Sequence, residues 1–378
     1  MPGYDSGIVT PYNSVNSGVI PQDVFGVAIN WFVNRTPLTA RLPKLAVGSA
    51  SFLITNDNYR PRSDVLTAAN SDTSTATVTV ADTSRYTVGD VIEVDTETFL
   101  VTAISSSTVL AVTRGYAGSS AATHSNGATV YLLTNARTGG EVDISAISRI
   151  PTPVTQYVQT IQHAYQVAGS LQSKTNYVSG LGTPLQRDKM LAMQNCMDDF
   201  EGASYYGKGV ALAASTTKPG MKGLRTLIST NNTTSPTNAA AYKPSDLIRD
   251  TIQKCFDGGG NPDLLLVSSD FLTGMATWGH AVQRLDAGAT VFGTPIDVFE
   301  APFLTGVSII PAPLLRSGTA ICLTSAEVRD RIARPLVDKP RGSRGDAEEG
   351  DMIMEGAIEL DNEAHHAWVS GITAFAAS

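Results

Sequence analysis

Gly202-Ala203-Ser204-Tyr205-Tyr206-Gly207-Lys208-Gly209 nearly spells a phosphate loop, whose glycine backbone and lysine cradle nucleotide phosphates. It fails at its last position, where Gly209 stands in place of the Ser or Thr that binds magnesium. It also falls at the end of a predicted helix, whereas a phosphate loop leads from a strand into one. The histidines are His124, His163, His280, His365 and His366, and none has a partner at zinc-ligand spacing. In an extended chain His365 and His366 point to opposite faces. Asp198-Asp199 and Glu348-Glu349 are adjacent carboxylates, most simply solvated, and no Gly-x-Ser-x-Gly elbow is present. Arg344-Gly345-Asp346 matches a three-residue adhesion motif of the kind chance produces, and Asn232-Thr233-Thr234 accepts a glycan only on a secretory route. No enzyme, cofactor or metal is expected.

The near-motif belongs instead to the longest helix signal, Thr183 to Gly207. Thr183 can cap, Pro184 sits where a missing N–H costs nothing, and Gln186 completes a capping box. Met190, Met193, Met197 and Phe200 recur at helical steps and predict the buried stripe, worth roughly 1.5–3 kcal/mol each. Arg187, Lys189, Asp198, Asp199 and Glu201 lie off that stripe, and Gly207 ends the helix.

The 378 residues suffice for two or three domains. Only 16% are charged, which suits a surface largely covered by copies of itself. The net charge of −8 and the lack of a basic tail argue against sequence-specific nucleic-acid binding. The N-terminus does not read as a secretory signal, and no stretch is apolar enough to span a membrane. Cys196, Cys255 and Cys322 are scattered, as buried thiols in a reducing cytosol would be.

Residues 1–50 read as an extended arm with one short helix at Asp23–Asn34, and Pro37 and Pro43 forbid a long helix beyond it. An arm this apolar must lie along its own body or a neighbour. Residues 74–134 predict a small all-β module with strands at Thr77–Val80, Val91–Val94, Phe99–Ile104, Val109–Thr113 and Ala128–Leu132. Leu66–Ser74 and Thr134–Gly140 read as hinges around this insertion. Tyr157–Leu171 predicts one long strand.

Residues 209–325 form an α/β pattern, with helices at Ser245–Phe256 and Asp270–Trp278 and strands at Leu264–Val267, Val307–Ile310 and Thr319–Leu323. Asp338–Asp351 reads as a polar loop, and long strands follow around Met352–Leu360 and at Trp368–Phe375. The long strands on either side of the central domain should pair, with the long helix lying on that sheet.

This order resembles the major capsid proteins of tailed bacteriophages, which share the Hong Kong 97 (HK-97) fold. Within them it is similar to the SU-ten-type branch, with a β insert in the extended loop. The resemblance rests on Arg35–Lys44, Ile54-Thr55-Asn56-Asp57, Val88-Gly89-Asp90-Val91-Ile92 and Thr113-Arg114-Gly115-Tyr116. It continues through Gln186–Lys208, Met221-Lys222-Gly223-Leu224, Asn261–Val267 and Ala333–Asp338.

The resemblance implies an α+β, HK-97-like fold. Its parts are an N-terminal arm at 1–50, an extended loop at 51–155 with the all-β insertion domain at 74–134, and a peripheral domain at 156–208 with the spine helix at 183–207. An axial α/β domain at 209–325 and peripheral return strands at 326–378 complete it. It implies a shell subunit that self-assembles icosahedrally around double-stranded DNA, with a virion accessory (decoration or tail) protein as the alternative.

The expected partners are its own copies, as pentamers and hexamers, a portal protein, and scaffold or decoration proteins. The DNA is enclosed without sequence-specific binding, and no membrane is involved. No charged scaffold segment precedes the arm, so a separate scaffolding protein, or none, is expected. The place is the virion capsid, assembled in the host bacterial cytoplasm. Inter-subunit contacts are assigned to Trp31, Phe32, Arg35, Leu38, Arg41 and Leu42 in the arm. Arg334, Arg341 and Arg344 are assigned to the return strands. Deleting residues 1–45 is then expected to abolish shells and leave a folded body.

Overall fold

Thr183 and Pro184 start the long helix as their chemistry requires. In the computed structural model the helix spans Pro184–Tyr206, with Thr183 as its N-cap. The Gln186 N–H donates to the Thr183 hydroxyl at 3.3 Å, and the Thr183 N–H donates to Gln186 Oε1 at 3.1 Å. Gly207 ends it where a side chain has no room, since a Cβ there would lie 2.3 Å from the Met221 carbonyl oxygen. The structure describes residues 35–56, 60–140, 151–172, 183–213, 217–276, 278, 283–284, 298–301, 304–342 and 345–376.

Of the expected stripe, Phe200 is buried and Met197 half-buried, but Met190 and Met193 are not covered. Ala192, Cys196 and Phe200, at four-residue steps, face the sheet, while Met190 and Met193 are 44% and 36% exposed. Ala192 and Cys196 precede Met193 and Met197 by one residue each, a rotation of about 100°. The covered face carries smaller side chains, Ala192 and Cys196, at two of its three positions. Glu201, expected off the buried face, is fully buried.

The sheet beneath has four strands, in the order Lys44–Ala46, Val328–Pro340, Ala347–Leu360 and Gln159–Ala168. Gln159–Ala168 pairs antiparallel with Ala347–Leu360, so the long strands before and after the central domain do meet. Ile161, Tyr165, Met352, Met354 and Ala357 pack with Cys196 and Phe200 between helix and sheet.

Two boundaries differ from expectation. The segment read as one strand over Tyr157–Leu171 is divided: Thr152–Tyr157 pairs with Ser51–Asn56 in a two-stranded sheet, Gln159–Ala168 joins the long sheet, and Gly169–Gln172 is a helical turn. The polar loop at Asp338–Asp351 is shorter, because its strands run to Pro340 and restart at Ala347. Asp338, Arg341 and Asp351 are matched locally. Tyr165 and Lys189 donate to Asp338 at 2.6 and 2.7 Å, and Arg341 forks onto Asp351.

The central sheet has seven strands: Asn232–Thr234, Ala367–Ser370, Ala320–Leu323, Leu264–Val267, Leu304–Pro311, Val298–Ala301 and Gln283–Arg284, in spatial order. Leu265, Val267 and Cys322 belong to one apolar cluster, and Leu264, Leu266 and Ile321 to another. Burial on both faces is why the sequence here is continuously apolar rather than alternating. Helical segments Pro244–Leu247, Ile248–Gln253 and Lys254–Asp257 run on from one another, the middle one a π-turn, and Ser269–Met275 follows. The last strand, Ala367–Ser370, pairs with Ala320–Leu323 and so joins the central sheet. Residues 326–378 are therefore not wholly return strands of the long sheet.

Residues 57–152 form a separate compact unit. Its six-stranded sheet runs Ser63–Val65, Thr129–Asn135, Asp90–Val94, Glu97–Ile104, Val109–Thr113 and Thr77–Thr79. The expected strands are present, and Ser63–Val65 is added. Leu66–Ser74 is not a hinge. Leu66 is buried and bridged to Val80, and the Asn70 N–H donates to the His124 carbonyl at 2.9 Å. Thr134 and Asn135 likewise belong to a strand.

All three cysteines are free and buried.

Candidate functional site

The arm enters the described structure at Arg35, and its root is held by one acid. A turn follows Thr36: the Ala40 N–H donates to the Thr36 carbonyl and the Leu42 N–H to the Leu38 carbonyl. The Leu38 and Thr39 N–H groups, left free at the start of that turn, donate to the two oxygens of Glu201 at 3.1 Å each. The Tyr205 hydroxyl donates to the same carboxyl at 2.7 Å. Burial pushes the Glu201 pKa up, and these donors pull against it. Leu38 and Leu42 pack with Ile54, Tyr205, Val328 and Ile358. Beyond the turn, Lys44–Ala46 pairs parallel with Val328–Pro340.

The arm's root is thus part of this chain's own core. Leu38, which is 0% exposed, and Leu42 were expected at a subunit contact and instead fill a space inside one copy. A deletion of residues 1–45 would therefore remove core side chains as well as the arm. The reason is legible only in three dimensions: the spine helix and the long sheet leave an apolar gap, and the proline-punctuated turn fits it.

Of the assigned arginines, Arg35, Arg41, Arg334 and Arg341 are described; they lie on the surface and each has a local partner. Arg35 pairs with Asp198 at 3.0 Å, Arg334 with Glu355 at 3.4 Å and Arg341 with Asp351 at 2.6 Å. Arg41 is exposed and donates to the Pro37 carbonyl at 3.4 Å. Trp31, Phe32, Arg344, His280 and the helix expected at Asp23–Asn34 lie outside the described residues.

Among the described residues these groups lie apart or in local pairs. An open cleft of about 770 Å³ lies between the spine helix and the strand Gln159–Ala168, and it is lined by Arg35, Thr160, His163, Asn195, Asp198 and Asp199 among others. His163 Nε2 meets Asp199 at 2.7 Å. The hydroxyl on that strand, Thr160, is three residues from His163, and such residues project from opposite faces. Gly202–Gly209 closes a helix and enters the strand Lys208–Val210, so no phosphate loop forms. His365 Nδ1 is within 2.9 Å of Glu327, and His366 accepts from the Thr324 N–H. Burial lowers the His366 pKa to about 4, leaving it neutral near pH 7. No group of three or more metal-binding side chains occurs among the described residues.

What remains is a scaffold: a spine helix on long strands, a clasped arm, a doubly covered central sheet and a separate β unit. A family model of the SU10 major capsid protein matches residues 6–373. The chain belongs to that family. It is a major capsid protein, a structural subunit of a capsid shell, and its place is the virion capsid. The expected α+β, HK-97-like fold class accords with the spine helix on its long-stranded sheet, the separate β unit and the central sheet.

The capsid subunit is similar in structure to a chain of the holo-SrpI encapsulin complex of Synechococcus elongatus, at 10% identity and a TM-score of 0.49, covering 95% of each chain. It is similar to a chain of Mycobacterium phage Bobi at 12% identity and a TM-score of 0.48, covering 95% of this chain and 97% of that one. It is also similar to a chain of the empty GTA particle capsid at 10% identity and a TM-score of 0.44, covering 99% and 100%. No curated protein matches it.

Sequence reasoning missed Glu201 as the arm's anchor. The signal was present: a carboxylate lies five residues before the last residue of a helix that also carries Tyr205, four residues on and on the same face. Nothing in the sequence pairs it with Leu38, 163 residues away.

Proposed function

We propose that this capsid subunit assembles icosahedrally, through pentamers and hexamers, around the double-stranded DNA of a tailed phage in the bacterial cytoplasm. The family match over residues 6–373 supports this reading. In it, residues 1–34 are the arm that reaches a neighbour, 51–155 the extended loop with its β insert, and the seven-stranded sheet the axial domain. Arg35, Arg41, Arg334 and Arg341 are the described residues offered to neighbours. Each contact need be only modest, because many interfaces of about 1,600 Å² in total add up in a closed shell.

The portal and any scaffold or decoration protein join at assembly. An acidic container with a net charge of −8 encloses DNA without gripping it, since strong phosphate contacts are sequence-blind and salt-dependent. Electron microscopy of the purified chain should show closed icosahedral particles. Rings, fibres or a monomer at every concentration would refute it. Deleting only residues 1–34 tests the arm while leaving Leu38 and Leu42 seated, and particles should then be lost from a folded subunit.

A further inference from the structure

Three elements meet beneath the arm's root, and two of them bring carboxyls. Glu201 comes from the spine helix and receives the turn, as described above. Asp330 comes from the strand Val328–Pro340, directly under the arm. Its N–H donates to the Pro43 carbonyl at 3.0 Å, and in the parallel register it lies opposite Lys44. Its backbone therefore holds the arm while its side chain lies buried, 1% exposed. Neither Asp330 carboxyl oxygen has a hydrogen-bond partner. A buried ionised carboxylate without donors is costly, and protonation relieves that cost.

The charged surroundings are few. Lys44, from the arm strand, favours the ionised form, and Glu201, from the helix, opposes it. The Tyr205 hydroxyl is committed to Glu201. On the adjoining strand Asp330 faces Ile358, which is apolar. Arg329, Arg331 and Glu359 alternate onto the opposite face, where Arg331 forks onto Glu359 at 2.8 Å. Burial is the largest influence and raises the Asp330 pKa to about 7.

We propose that the arm's root, residues 36–46, is a proton-dependent clasp, seated while Asp330 is neutral and loosened as Asp330 ionises. Ionisation leaves a charge under the arm that only Lys44 or water can match, and reaching it requires the segment from Leu38 to Ala46 to shift. The sign follows from linkage. A carboxyl whose folded pKa exceeds its unfolded value stabilises the closed form fully below the unfolded value of 3.8, and that support is lost as pH rises to about 7. Above pH 7 the effect is flat. The clasp belongs to one chain and operates whether or not a shell forms.

Hydrogen exchange on the full-length protein between pH 5 and pH 8.5, corrected for the intrinsic rate, reads it directly. Protection of the Leu38–Leu42 amides should fall by about tenfold or more as pH rises to 7 and then level off. Protection of the central strand Leu264–Val267 should not follow. Asp330→Asn should hold the clasp at its low-pH protection throughout. If that variant does not fold, Lys44→Ala serves instead, and it should move the midpoint to higher pH by removing the favourable cation. Equal pH dependence in both segments, an unchanged slope in Asp330→Asn, or an unmoved midpoint in Lys44→Ala would overturn the proposal.

Discussion

Two buried acids, one in each compact unit, are treated in opposite ways. Glu97 in the β unit is fully buried and fully answered. Arg114 forks onto it at 2.9 and 2.7 Å, the Ala122 N–H donates at 2.8 Å, and His124 Nε2 lies at 3.0 Å. Burial acts to raise its pKa, yet these donors hold it down at about 2. Asp330 in the larger unit is as deeply buried, has no donor, and is pushed up to about 7. Burial alone does not set the charge of an acid; the donors around it do. The first arrangement pins the loop from Arg114 to His124 onto the sheet. The second leaves a site whose charge follows the solution.

The sharpest way to break this contrast is to remove the answered acid. Glu97→Ala strands Arg114 and His124 and should cost the β unit about 3–5 kcal/mol. Loss of amide protection in the strand Asp90–Val94, with the central sheet unaffected, would register it; an unchanged unit would mean that the charges do not matter there. A smaller effect of opposite sign is expected from Asp330→Asn at pH 8. Removing an unanswered charge should stabilise the larger unit by about 1–3 kcal/mol, seen as a higher urea midpoint. The gain should disappear below pH 4, where the wild-type acid is neutral as well.

Solution pH separates the two units in direction. As pH falls from 4.5 through about 2, the β unit should lose the support of Glu97, whose folded pKa is depressed. Over the interval from 3.8 to about 7, the other unit should lose stability as pH rises. The smallest expected effect is at Arg35, which is half-exposed in its pair with Asp198. Arg35→Ala should change stability by less than about 1 kcal/mol. A larger loss in unfolding experiments would show that exposed arginines here act within the subunit rather than between copies.

Much of the fold was readable before any coordinates. The capping box at Thr183 and Gln186, the strand at Leu264–Val267 and the turns of the β unit all depend on residues close together in sequence. The failures share one cause. The methionine and the Ala192–Cys196–Phe200 stripes are equally periodic, and only the opposing sheet chooses between them. Glu201 lay off the expected stripe, and only the distant Leu38 and Thr39 N–H groups made it a buried anchor. Trp368 looked like a return strand until Ala320–Leu323 took it as a partner.

Local chemistry by itself determined where the spine helix begins and ends and where the strand Leu264–Val267 lies, because caps, prolines, glycines and apolar runs act within a few residues. Tertiary structure alone decided which helix face was covered, which arm residues were core and which acid was left without a donor. Those outcomes depend on what distant segments bring to the same few ångströms, and no spacing along the chain encodes that meeting.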